Sequence, residues 1–91
     1  MMSLESLQEF MRSRTLQSAL DFFNKRKIEA TSDVIEVAQE LQRYLVGRPK
    51  GVRGTDTLAD VYYKISVSKR TQFLRFVSWQ ISLEGEKGGR K

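Results

Sequence analysis

Between Ser66 and Ser82 the chain sets out groups suited to gripping phosphates and reading base edges. Lys69 and Arg70 stand side by side. From Thr71 onward Arg75, Ser78 and Ser82 recur at i+4, i+7 and i+11, which places all four on one strip of a helix. Arginine and lysine pair with phosphate oxygens and with guanine, and hydroxyls meet either phosphate or base. Upstream, Gly47-Arg48-Pro49-Lys50-Gly51-Val52-Arg53-Gly54 puts Arg48, Lys50 and Arg53 into one loop, with three glycines and a proline that keep it out of regular structure. Such a loop can lie along phosphates or reach into a minor groove. The same composition also suits a solvated linker between helices.

The residue types exclude most catalysis. Histidine and cysteine are both absent, which removes the commonest general base, the thiolate nucleophile and the usual zinc ligands. The glycines of residues 47–54 follow a helical stretch rather than a strand and match no phosphate-loop spacing. Asp56 and Asp60 are four apart, but at a helix start their natural service is to the helix dipole. The expectation is a protein without enzymatic activity, cofactor or metal.

The elements that must carry these groups follow from hydrophobic spacing. Leu58, Val61, Tyr62 and Ile65 recur at i, i+3, i+4 and i+7 behind a Thr55-Asp56-Thr57 start, the pattern of an amphipathic helix with capping residues. In the following helix Phe73, Leu74, Phe76, Val77, Trp79, Ile81 and Leu83 fill the arc around the polar strip, and Ser68 is placed to cap its N-terminus. The competing reading of residues 60–84 is a β-hairpin, since Tyr63, Ile65 and Val67, and again Val77, Trp79, Ile81 and Leu83, alternate with polar residues. That alternation breaks at Leu74-Arg75-Phe76, so helix is preferred. Helix, tight turn and a helix with a basic start is the outline of a helix-turn-helix. Val67-Ser68-Lys69-Arg70-Thr71 resembles the turn and recognition-helix start of many bacterial repressors and activators. The resemblance implies that Ser68, Lys69, Arg70, Thr71, Arg75 and Ser78 face duplex DNA; the basic loop would then grip phosphates through Arg48, Lys50 and Arg53.

The rest of the chain reads as helix as well. Leu4, Leu7 and Met11 stripe a helix from Ser3 to about Arg12, in which Ser6 and Glu9 have capping-box spacing. Leu16, Ala19, Leu20 and Phe23 stripe another from Thr15 to about Lys25, ending in Lys25-Arg26-Lys27, cations that suit a helix C-terminus. Thr31 or Ser32 starts a third, with Val34, Ala38, Leu41 and Leu45 on its core face, Gly47 and Pro49 as its stop, and a place at the centre of the core. The predicted fold is all-α: a bundle of about five short helices forming one domain over residues 1–84, followed by a frayed basic tail at 85–91. The alternative is α+β with the C-terminal hairpin.

The 91 residues, 40% of them apolar, suffice for one modest core, and the start of the chain has no signal-peptide pattern, so a cytoplasmic, unsecreted protein is expected, without a membrane span. Net charge is +5, and it is one-sided: residues 1–46 hold six basic against seven acidic side chains, residues 47–91 ten against four. A field of that shape suits a polyanionic partner, and equally keeps a small protein soluble.

A second resemblance covers residues 27–84. Lys27-Ile28-Glu29-Ala30-Thr31-Ser32-Asp33, a helix, then Leu45-Val46-Gly47-Arg48-Pro49-Lys50-Gly51-Val52, and later Phe73-Leu74-Arg75-Phe76-Val77, are similar to the N-terminal helical region of the initiation-factor-2B-like and ribose-1,5-bisphosphate isomerase superfamily. It implies a helical assembly or regulatory module, with Arg48 the one position carried over and no catalytic domain. Two functions therefore stand. One is a small DNA-binding transcriptional regulator. The other is a helical protein-interaction module with an exposed apolar patch involving Tyr62, Tyr63, Trp79 or Phe76. Both admit a homodimer.

Overall fold

The first four helices each begin where a short polar side chain satisfies an orphan amide. In a computed structural model describing residues 3–47 and 51–89 (backbone alone for 86–89), the Ser3 hydroxyl accepts the Ser6 amide at 3.1 Å and opens α1, Leu4–Ser13. The cap is thus Ser3, not Ser6, which lies inside the first turn. Arg14 and Thr15 are extended, and Thr15 caps α2, Leu16–Arg26, by accepting the Ser18 amide at 3.2 Å. A single 3-10 turn, Lys27–Glu29, leads to α3, Ser32–Gly47, where the Thr31 hydroxyl accepts the Val34 amide. Thr57 and Asp60 form a reciprocal capping box at the head of α4, Leu58–Lys64. A second 3-10 turn, Val67–Lys69, runs directly into α5, Arg70–Gly89. Ser68 lies within that turn and therefore does not cap α5.

The architecture is the all-α bundle expected, with five α-helices among the described residues, one of them 20 residues long. No strand forms among those residues; one isolated bridge joins Thr15 to Thr57. The hairpin fails for a reason visible in the core. Phe73, Phe76 and Val77 are all buried and belong to one helical arc, whereas a strand would have turned Arg75 inward alongside Phe73. Backbone of α5 continues through Gly89, five residues into the stretch expected as tail.

α5 rather than α3 holds the middle position. It packs against α1, α2 and α3, and α3 is its largest neighbour. Met11, Leu16, Leu20, Phe23, Leu41, Leu58 and Val61 close around Phe73 and Phe76 in one continuous core. Aromatic contacts run through it from Phe22 and Phe23 to Trp79, then Phe76, Phe73, Tyr62 and Tyr63.

From Gly51 onward the segment after α3 is anchored to the fold rather than a solvated linker. Val52 is fully buried, and the Gly54 and Asp56 carbonyls accept the Gln17 and Leu16 amides at 2.9 and 2.8 Å. The segment thereby satisfies two orphan donors of α2 that no side chain reaches. Arg14 forms a two-point pair with Glu84, tying the α1–α2 junction to the far end of α5. That contact holds the Arg14 pKa above its ordinary value, through the hydrogen bonds to Glu84.

Candidate interaction surface

The cations expected on DNA are distributed by the fold, and several already have partners. Lys69 lies 3.4 Å from a Glu40 oxygen, and Arg75 donates to Asp33 at 2.9 Å. Arg70 donates through Nε to the Tyr62 carbonyl at 2.9 Å, with its guanidinium 4.9 and 5.3 Å from the ring centres of Tyr62 and Tyr63. It thus ties the start of α5 back to α4. Ser68 and Thr71 are exposed and Ser78 is half-buried. Arg53 is exposed in a separate groove beside Gln17 and Leu45, and its amide donates to Asp56. Arg48 and Lys50 lie outside the described residues. Thr71, Arg75 and Ser78 do share the predicted strip of α5, along an open groove of about 620 Å³ whose opposite bank is formed by Thr31, Asp33 and Val34.

Around Glu40 the ionisations are coupled to structure. Burial pushes its carboxyl up, but hydrogen bonds from the Tyr44 hydroxyl at 2.8 Å and from Lys69 outweigh that and hold it below its ordinary value. Burial and the same carboxylate push the Tyr44 hydroxyl up to about 12.

A different surface is left uncovered by the described residues. Helix α1 carries a strong apolar stripe yet fully buries Met11 alone; Leu7 and Phe10 are half-covered and Leu4 is 69% exposed. Next to it Tyr63 of α4 is 72% exposed, while Tyr62 is half-buried. Between α1 and α4 runs a groove of about 270 Å³ floored by Met11 and Leu74 and walled by Leu4, Leu7, Tyr62 and Tyr63. Arg12 reaches it from α1, and Arg70 stacks on the two tyrosines. Adjoining apolar walls with one guanidinium in the lining suit an amphipathic ligand better than a small polar one.

Of the four aromatics expected to form an exposed patch, Tyr63 is open, Tyr62 and Trp79 are half-covered, and Phe76 is fully buried. The contribution of α1 was not foreseen, because Leu4, Leu7 and Met11 at helical spacing have the same appearance in sequence whether they meet a core or a partner. The available signal was the shortness of the stripe, three residues at the chain's start.

Among the described residues no cluster of three or more acidic side chains is arranged to hold a metal ion, and no helix is long and apolar enough to cross a membrane. Fold and surface define an all-α bundle with an apolar groove that the described residues leave uncovered. No protein family profile, curated protein or solved structure matches the chain.

Proposed function

We propose that this chain is a non-enzymatic helical interaction module that docks a protein partner in the groove between α1 and α4. The observation that carries this reading is the pairing of exposed Leu4 with exposed Tyr63 on neighbouring helices, over an apolar floor. It is supported by the engagement of Lys69, Arg70 and Arg75 in contacts that serve the fold itself. The test is selection of binders from a displayed random-peptide library against the intact chain. Apolar and aromatic peptides should be enriched, and Leu4→Ser with Tyr63→Ser should abolish their binding without moving the melting temperature by more than a few degrees. Peptides that bind the double variant as well as the wild type would overturn the reading.

A second reading, a small duplex-DNA-binding regulator of helix-turn-helix type, is favoured by the charge of residues 47–91 and by the exposed strip of Thr71, Arg75 and Ser82. Anisotropy of a labelled mixed-sequence duplex at low and near-physiological salt decides it. Tight binding that falls by orders of magnitude with salt supports a phosphate-contacting surface, and no binding at low salt removes it.

A further inference from the structure

The α1 edge of the groove carries charges that enter no ion pair among the described residues. Among the described residues Arg14, Arg26, Lys64, Lys69 and Arg75 each have a carboxylate in ion-pair contact. Glu5 and Glu9, the acidic side chains of α1, take part in none of these pairs, and neither does Arg12 at the groove. Glu5 and Arg12 are seven residues apart and so lie on the same edge of α1, two turns from one another. An edge with an acid near one end and a base near the other complements itself when a second copy lies antiparallel. About a two-fold axis at the middle of the helix, Glu5 of each copy falls within reach of Arg12 of the other. Leu4 of each then meets the Met11 end of its partner's stripe.

Resting on the interaction-module reading, we infer that the occupant of this groove is a second copy of the same chain, in an isologous dimer in which the two α1 helices run antiparallel and each Tyr63 packs against the other copy's groove. Electrostatics of the whole chain favour this face. Helices α1 and α4 together hold Glu5, Glu9 and Asp60 against Arg12 and Lys64, so two such faces meet without the repulsion that would oppose contact through the strongly basic regions of residues 47–91. A two-fold contact also closes, covering both exposed leucines and both exposed tyrosines and leaving no groove open to recruit further copies.

Sedimentation equilibrium of the full chain over a range of concentrations tests the inference. The wild type should show a concentration-dependent dimer. Tyr63→Ser should shift it to monomer with its helical circular dichroism unchanged. Glu5→Arg alone and Arg12→Glu alone each juxtapose like charges twice, and each should weaken dimerisation at least about tenfold. An equimolar mixture of those two single variants restores both opposite pairs and should recover dimer, as a heterodimer. A wild type that is monomeric at its highest soluble concentration overturns the inference, and so does a dimer indifferent to all three substitutions. If a monomeric protein still captured groove-dependent peptides, the interaction reading would stand with a foreign partner and only the self-pairing would fall.

Discussion

Gln80 is the polar side chain that the core encloses completely, with 0% of its surface exposed. Its Nε2 donates to the Ala19 carbonyl at 3.0 Å, but Oε1 has no hydrogen-bond partner among the described residues. A buried acceptor without a donor costs about 1–3 kcal/mol, and the Ala19 carbonyl, inside α2, retains its helical amide without the glutamine. Gln80→Met keeps an unbranched side chain of similar size and should therefore raise stability by about 1 kcal/mol, read from the urea midpoint. A loss of that size would mean that the single hydrogen bond outweighs the orphaned oxygen. At the same scale, Arg70 and Arg75 are not equivalent. Arg70→Ala removes a hydrogen bond and two ring contacts that join α4 to α5 and should cost about 1–2 kcal/mol. Arg75→Ala breaks only an exposed pair with Asp33 and should cost less than about 1 kcal/mol. Arg75 is consequently the substitution whose effect on duplex affinity can be read without a change in the fold.

Among the elements, α4 is the shortest and depends most on its cap. Seven residues give few helical bonds, so the reciprocal contacts of Thr57 and Asp60 matter there more than in α5. Thr57→Ala should cost about 1 kcal/mol, lowering the melting temperature of a domain this size by roughly 4–8 °C. Helix α5 is held in another way. Trp79 packs edge-on to Phe22 and Phe23, stacks against Phe76 and donates Nε1–H to the Glu29 carbonyl at 3.3 Å. It links α5 to α2 and to the turn before α3 while part of its surface stays open. Trp79→Ala should cost about 3 kcal/mol, the low end of the range for a large aromatic. A change under about 1 kcal/mol in the urea midpoint would show that the ring contributes little to the core.

For the whole molecule, the titrating contacts bound the pH range of greatest stability. Asp56 accepts from Lys64 at 2.7 Å and from the Arg53 amide at 2.9 Å, and these contacts lower its pKa below the ordinary 3.8. Glu40 is held below 4.5, the hydrogen bonds from Tyr44 and Lys69 outweighing its burial. A carboxyl with a depressed native pKa binds protons more readily in the unfolded chain, so its contribution is complete above the unfolded pKa and is lost as pH falls through the native value. Stability should therefore decline with acid from about pH 4 downward, and Asp56→Asn should flatten the decline. The Tyr44 hydroxyl, raised from 10.0 to about 12, acts with the opposite sign. Its contribution is complete below pH 10 and is lost as pH rises toward 12, because the unfolded chain releases that proton first. Urea midpoints across both ranges, with Tyr44→Phe as the alkaline control, check both limbs.

The helices, the caps at Thr31 and within Thr55–Thr57 and the polar strip of α5 were legible in the sequence, because each is set by groups within about four residues of one another. The same locality explains the preference for helix over hairpin at residues 60–84, where Leu74-Arg75-Phe76 fits one period and not the other. Tertiary structure decided what depends on distant segments. Arg14 meets Glu84 across 70 positions, Lys69 meets Glu40, and Val52 enters the core from a segment whose glycines and cations read as loop. It also decided which apolar stripe was left over. Leu4, Leu7 and Met11 have the same helical spacing as Leu16, Leu20 and Phe23, but α2 is sealed by α3 and α5 whereas α1 meets α4 and α5 with one edge open. Spacing along the chain specifies that a helix has an apolar face; only the arrangement of its neighbours specifies whether that face is filled from within the molecule or is free to receive a partner.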